Sequence, residues 1–257
     1  MKQLLLIFFI LTSLTAITTK VYAVRPFITD DAAVAEHRHI QLETWTLFEQ
    51  DAGEHWIMWS YGLYDNLEIS LGSLWGYIQS ESGHTELTFA MPLLEAKYLF
   101  REYQPFKFPG IALAAGTFLP YGRGEFVAPS FGVYSVLAFT QCFGQNEDVL
   151  IHANIGVNYL REYNELDKNN KKKNQFLPIW GIGTQIRAYR GLHFVGEIVA
   201  GDPYVPGTGF AVHTGFRYFI NDYVQLDASI GQGIAGDNKV PFWAGFGARF
   251  VITWFEE

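Results

Sequence analysis

From residue 242 to residue 254 every second side chain is apolar: Phe242, Ala244, Phe246, Ala248, Phe250, Ile252 and Trp254. Between them stand Trp243, Gly245, Gly247, Arg249, Val251 and Thr253. A period of two sends successive side chains to opposite faces of a strand, so this stretch has one face that is greasy throughout and one that is mostly small or polar. The hairpin before it repeats the pattern, with Phe210, Val212, Phe216, Tyr218 and Ile220, then Val224, Leu226, Ala228 and Ile230, on the apolar face. Opposite them lie Ala211, His213, Gly215 and Arg217, then Gln225, Asp227, Ser229 and Gly231. Similar alternation marks 67–77, 149–159 and 176–187, and no segment after residue 23 holds a helical period. A chain written this way folds into sheet.

The alternation predicts twelve strands, at 38–49, 54–64, 67–79, 85–101, 110–121, 130–143, 148–164, 175–189, 191–201, 208–220, 223–235 and 240–255. Connections at 65–66, 144–147, 190 and 221–222 are short, whereas those at 50–53, 80–84, 122–129, 165–174, 202–207 and 236–239 are mostly longer and more polar. Short and long connections alternate in this way between the periplasmic and external ends of outer-membrane barrels. The stretch 102–109 (EYQPFKFP) is long where a short turn is expected. Within 85–101 the apolar parity changes at Met91-Pro92, from Leu87 and Phe89 to Leu94, Ala96, Tyr98 and Phe100. A β-bulge at the proline, which cannot donate to the ladder, reconciles the two registers.

Composition narrows the class. Of the 257 residues 17% are aromatic and only 17% charged, against about a quarter charged in soluble domains. Disorder and coiled coil are excluded. Residues 1–23 read as a secretory signal: Lys2, the apolar run Leu4 to Leu14, then Val21-Tyr22-Ala23 as cleavage site, with no Cys there for a lipid anchor. The formal net charge is −8, more negative once Lys2 and Lys20 are removed, and no basic patch interleaves with aromatics, so nucleic acid is not an expected partner. The single Cys142 excludes an internal disulfide and any multi-cysteine metal site.

A soluble sandwich or lipocalin-like barrel carries a solvated outer face rich in Lys and Glu. Here the face opposite the apolar one is mostly Gly, Ser, Thr, Asn and Gln with scattered charges, which suits a lumen. Trp59, Trp75, Tyr159, Trp180, Tyr218 and Trp254 fit aromatic girdles at the membrane interfaces. The expected fold is all-β, a transmembrane antiparallel up-and-down β-barrel of about twelve strands over residues 38–257, in the cell outer membrane and in contact with its lipids. Residues 24–37, with Asp30-Asp31 and no alternation, are either a flexible lead-in or a plug in the periplasmic mouth.

The mature start RPFITDDA (25–32), then QLETW (41–45), YGLYDNLEISLG (61–72), PLLEAKYLF (92–100) and FRYFINDYVQLDASIGQGI (216–234) resemble the outer-membrane family associated with the MetA pathway of phenol degradation. The resemblance spans nearly all of the mature chain. It implies an outer-membrane barrel acting as a channel or transporter and brings no catalytic residues with it.

With apolar faces toward lipid, charges must point inward, because Arg or Lys on the lipid face near the midplane costs about 2–4 kcal/mol. That assigns Glu43, Glu68, Glu95, Lys97, Arg187, Glu197, His213, Arg217, Asp227 and Arg249 to the pore lining. A three-residue turn at 221–223 sets Arg217 opposite Asp227, and a five-residue loop at 236–240 sets Asp227 opposite Arg249. The expected Arg–Asp–Arg ladder serves either as a selective constriction or as a structural network. Inward aromatics such as Trp56, Tyr134 and Trp243 narrow the lumen.

His213 and Ser229 near Glu197 invite a hydrolase reading, but a lipid-cleaving enzyme needs its Ser–His pair at the outer rim, where none is evident. His152, His193 and His213 lack metal-ligand spacing, and neither cofactor nor metal is expected. The run DKNNKKKN (167–174) reads as a solvated external loop, or as a contact for anionic lipopolysaccharide. The expected function is a monomeric, non-enzymatic channel for passive uptake of small solutes, hydrophobic or aromatic ones among them. The alternatives are a closed structural or adhesion barrel acting through its external loops and a lipid-modifying enzyme.

Overall fold

The computed structural model describes residues 27–79, 83–128, 130–144, 147–163, 173–236 and 239–253. The signal segment, Trp254 and most of the lysine-rich run lie outside them. The strands are β1 (His39–Phe48), β2 (Ala52–Tyr64), β3 (Leu67–Gln79), β4 (Thr85–Arg101), β5 (Gly110–Arg123) and β6 (Gly132–Phe143). They continue as β7 (Val149–Tyr163), β8 (Lys173–Tyr189), β9 (Leu192–Ala200), β10 (Phe210–Asn221), β11 (Val224–Ala235) and β12 (Trp243–Thr253). Each pairs antiparallel with its sequence neighbours, and β1 closes on β12 from His39↔Thr253 to Phe48↔Ala244. Closure leaves no unpaired edge, which a sheet in hydrocarbon requires.

The two faces separate by parity. Phe216, Leu226, Phe246 and Ile252 are exposed outside, while Arg217, Gln225 and Arg249 on the same strands are buried inside. The exposed apolar positions recur on every strand from β2 to β12 and form a belt far larger than a water-soluble monomer carries. Such a belt is stable only against lipid.

Register shifts on both sides of Pro92, between Met91 and Leu93 against β5 and between Gly72 and Leu74 against β3, make the expected parity switch. Leu87 before it and Leu94, Tyr98 and Phe100 after it are all exposed. The long 102–109 connection packs against the neighbouring ends of β6 and β7. There Tyr103 packs on Cys142 and Leu150 and donates its hydroxyl to Glu147, and the Phe106 N–H reaches the Cys142 carbonyl at 3.0 Å.

The charge ladder is half as expected. Arg217 does face Asp227, but Asp227 faces Gly247, and Arg249 lies between Gln225 and Glu43. The loop from β11 to β12 does not stop at five residues: the last ladder pair is Gly231↔Trp243, and the Gly233 N–H bonds the Val240 carbonyl. The resulting two-residue slide keeps every face and moves Arg249 one pleat away. Gly247 accommodates the change, since a Cβ there would lie 2.5 Å from Asp227 Oδ1.

Candidate functional site

The lumen has two unlike halves. Toward the short-turn end, residues 27–36 run through the barrel as a strap instead of joining the sheet. An extended segment with no neighbouring strand must find other acceptors for its N–H groups, and inward side chains supply them. Glu197 on β9 accepts from Ile28 at 2.7 Å and Thr29 at 2.8 Å. Asn154 on β7 bonds both the N–H and the carbonyl of Asp30, at 2.6 and 2.8 Å. Thr140 on β6 accepts from Ala32 at 2.8 Å, and Glu68 on β3 accepts from Ala35 at 2.5 Å. The small residues Ala32, Ala33 and Ala35 let the backbone pass this close to the wall.

Charge holds the strap as well. Lys97 Nζ on β4 lies 2.7 Å from Asp30 and 3.5 Å from Asp31, and Glu68 stands opposite Lys97 in the ladder. Burial pushes the Asp30 carboxyl up to about 6; Lys97 opposes the shift and Asp31 adds to it. Phe27 packs edge-on to His152 and lies under the Arg217 guanidinium, 5.5 Å from its ring centre. Around the strap, Arg217 donates to Gln185 at 2.5 Å, and Gln185 bonds His193 at 3.0 Å. Gln41 links Arg249, at 3.3 Å, to Glu43, at 2.6 Å.

Of the residues expected to line a pore, Glu43, Glu68, Lys97, Glu197, His213, Arg217 and Arg249 are buried in the interior. Glu95 and Asp227 are half-buried, and Glu95 takes the Tyr134 hydroxyl at 2.5 Å. Arg187 lies apart, exposed at the short-turn rim with its Nε 4.0 Å from Asp148. His213 Nδ1 is 2.7 Å from Glu197 Oε1, while Ser229 sits one pleat away opposite Gly215. A nucleophile and base are therefore not brought together there. Among the described residues no group of three or more His, Cys, Asp and Glu is placed to hold a metal.

The other half, beneath the long loops, holds a cavity of about 590 Å³. Trp45, Trp56, Leu74, Leu93, Phe118 and Trp243 form its wall, and Ile28 and His213 lie at its floor. Trp45 and Trp56 stack at 5.6 Å with their planes 9° apart, and Tyr204 approaches Trp56 at 5.9 Å. Loop residues 125–128, 202–208 and 239–241 fold over the top. Asn158 fixes one of these loops through the Asp202 carbonyl at 3.0 Å, and the Asp202 carboxylate accepts the Tyr204 N–H at 2.7 Å. Burial raises the Glu49 carboxyl at the rim. Sequence reasoning did not pick out Glu49, Glu54, Glu125, Asp202 or Tyr204. Glu54 shares the parity of inward Trp56 and was accessible to that argument; the loop residues carry no period.

A family profile described as "Putative MetA-pathway of phenol degradation" matches residues 24–250. The chain belongs to that family. No curated protein matches it in sequence. In fold it is similar to an outer membrane channel from Pseudomonas putida F1, with TM-score 0.61 and 11% identity over 90% of this chain and 100% of that one. The NanC porin is also similar, at TM-score 0.52 and 9% identity over 84% of this chain and 100% of that one. So is the KdgM porin, solved with disordered oligogalacturonate, at TM-score 0.51 and 8% identity over 84% and 99%. The shared feature is the fold of outer-membrane barrels.

Proposed function

We propose that the protein is an outer-membrane channel that takes small apolar or aromatic solutes into the upper cavity from outside and passes them to the periplasm when the strap leaves its seat. One observation carries this reading: a cavity of about 590 Å³ with aromatic walls opens beneath the loops of a barrel whose other half is crossed by the strap. Protein interiors leave few voids larger than a water molecule, so a chamber of this size is kept for an occupant. The wall selects by burial of apolar surface, worth about 25 cal/mol per Å².

In this reading residues 27–36 are the plug, and Glu43, Glu68, Glu95, Lys97, Glu197, His213, Arg217, Asp227 and Arg249 line the route that opens below the chamber, with Arg187 at its exit. The barrel works as a monomer without enzymatic chemistry. The many strap contacts favour one competitor, a barrel that stays closed and acts through its loops. Proteoliposome uptake of graded neutral aromatics separates the two. Entry faster than into protein-free liposomes is expected; no entry of any solute would replace the channel by the closed barrel.

A further inference from the structure

Strands supply Trp45, Trp56 and Phe118 to the upper chamber, whereas Tyr204 reaches into it from the loop between β9 and β10. The Tyr204 ring lies 5.9 Å from Trp56 on β2, tilted by 35°, and 5.9 Å from Tyr134 on β6, nearly edge-on at 79°. Aromatic pairs attract in such offset and edge-on arrangements, with centres about 4.5–7 Å apart. One place beside both Trp56 and Tyr134 thus suits a flat ring, and a ring of the chain itself fills it. We propose that this place is the slot for the aromatic ring of a solute, and that Tyr204 is a tethered stand-in which the solute displaces. The proposal rests on the channel reading for its solute and adds where the ring goes and what must move.

The sides of the slot are fixed to the barrel. Trp56 pairs with Trp45 in the β1–β2 ladder and stacks on it, while Tyr134 is buried, packs on Phe118 at 5.2 Å and donates its hydroxyl to Glu95. Tyr204 is held differently. It is half-buried, its neighbour Val205 is exposed, and both lie beyond the last ladder pair, Phe210↔Ala200. The loop closes on itself: the Gly201 N–H donates to the Thr208 carbonyl at 3.0 Å, and the Thr208 N–H to the Val205 carbonyl at 3.3 Å. Gly201 and Gly207, with φ of 80° and 90°, turn the chain on either side of Tyr204. The loop can therefore swing out as a unit without breaking a bond of the sheet. A ring tethered by so short a segment competes at an effective concentration on the order of mM. The affinity for a solute ring is then lowered by the fraction of time Tyr204 leaves the slot empty. Displacement also lifts residues 202–208 from the roof, so filling the slot and opening the mouth are one event.

The sign of one substitution separates a stand-in from a wall contact. The test uses the full mature chain in nanodiscs with benzyl alcohol and cyclohexylmethanol, which share a shape and differ in whether the ring is flat and aromatic. Binding is read from tryptophan emission, with empty nanodiscs as the lipid background. Tyr204→Ala should bind benzyl alcohol about tenfold more tightly than the parent and change cyclohexylmethanol by less than about threefold. Tyr204→Phe keeps the ring and should stay within about threefold of the parent for both. Should Tyr204→Ala fail to insert, Tyr204→Leu, which keeps apolar bulk without a ring, reads the same comparison. Weaker or unchanged binding of benzyl alcohol would overturn the proposal, because a wall that loses a contact gains nothing. Equal tightening of both alcohols would overturn it too, by showing added room in place of ring exchange. Proteoliposome uptake with no gain of affinity in Tyr204→Ala would leave the channel and remove the stand-in; the gain without uptake would do the reverse.

Discussion

The two halves of the lumen are made from the same strand face and yet are opposites. Near the loops, glycines lie beneath rings: a Cβ at Gly231 would fall 2.0 Å from Trp243, and one at Gly116 would fall 2.4 Å from Tyr134. Near the turns, glycines lie beneath backbone and strap: a Cβ at Gly62 would fall 2.0 Å from the Glu36 carbonyl, and one at Gly181 would fall 2.6 Å from Thr29 Oγ1. Above, the space so released is walled by apolar rings and stays open. Below, carboxylates, amides and an ammonium fill it and hold the strap. The small residues of the inner face thus reserve room, and the neighbouring large residues decide whether that room becomes a chamber or a seal.

Glu197 is where the halves meet, because it binds both the strap and the floor histidine. Glu197→Ala should give the largest effect. It unpairs two strap N–H groups and His213, at a cost of about 3–5 kcal/mol. The readout is thiol labelling of Thr29→Cys, which should be protected in the parent and reactive with the Glu197 change. Cys142, fully buried, is a silent background. Next comes Lys97→Met, which leaves Asp30, Asp31 and Glu68 without their shared cation. A loss of about 3 kcal/mol in thermal or denaturant unfolding of the reconstituted barrel is expected, with the chamber's solute binding retained.

The sequence analysis reached the halves unequally. Strand extents came out within three residues, since a face buried in lipid permits no drift in parity. Pro92 disclosed its bulge for the same reason. Register across the last loop did not follow, because parity is unchanged by a two-residue slide and only the loop's own hydrogen bonds fix which pleat Arg249 occupies. The strap carried a faint sign in Asp30-Asp31 and the alanines after them, but nothing linear connects these to Lys97, Asn154 or Glu197. The chamber was legible through Trp56, Trp243, His213 and Asp227. Its loop contributors, Glu125, Asp202 and Tyr204, are placed by long-range contacts and have no local pattern.

Two smaller effects sharpen the contrast. Gly231→Ala places a methyl against Trp243 and must displace that ring, with about 1–3 kcal/mol of overpacking. It should weaken binding of aromatic solutes and shift tryptophan emission while the strap stays protected from labelling. Acidity should act on the lower half through Asp30. Seated Asp30 holds its proton up to about pH 6, against an ordinary value of 3.8. The seated state thus binds the proton more tightly than the released one, and strap seating should strengthen as pH falls from about 6 toward about 4 and weaken above it. Labelling of Thr29→Cys in the presence of Glu197→Ala should be several-fold slower at pH 5 than at pH 7.5, after correction for thiolate content.

The central claim is that solute crosses only when the strap leaves. A Cβ on residue 181 would lie 3.6 Å from Thr29 Cβ, within disulfide range. The pair Thr29→Cys and Gly181→Cys therefore locks the strap in its seat. Uptake of a small neutral aromatic by proteoliposomes should stop in the oxidised double variant and return on reduction. Uptake that continues unchanged with the lock closed would contradict the account.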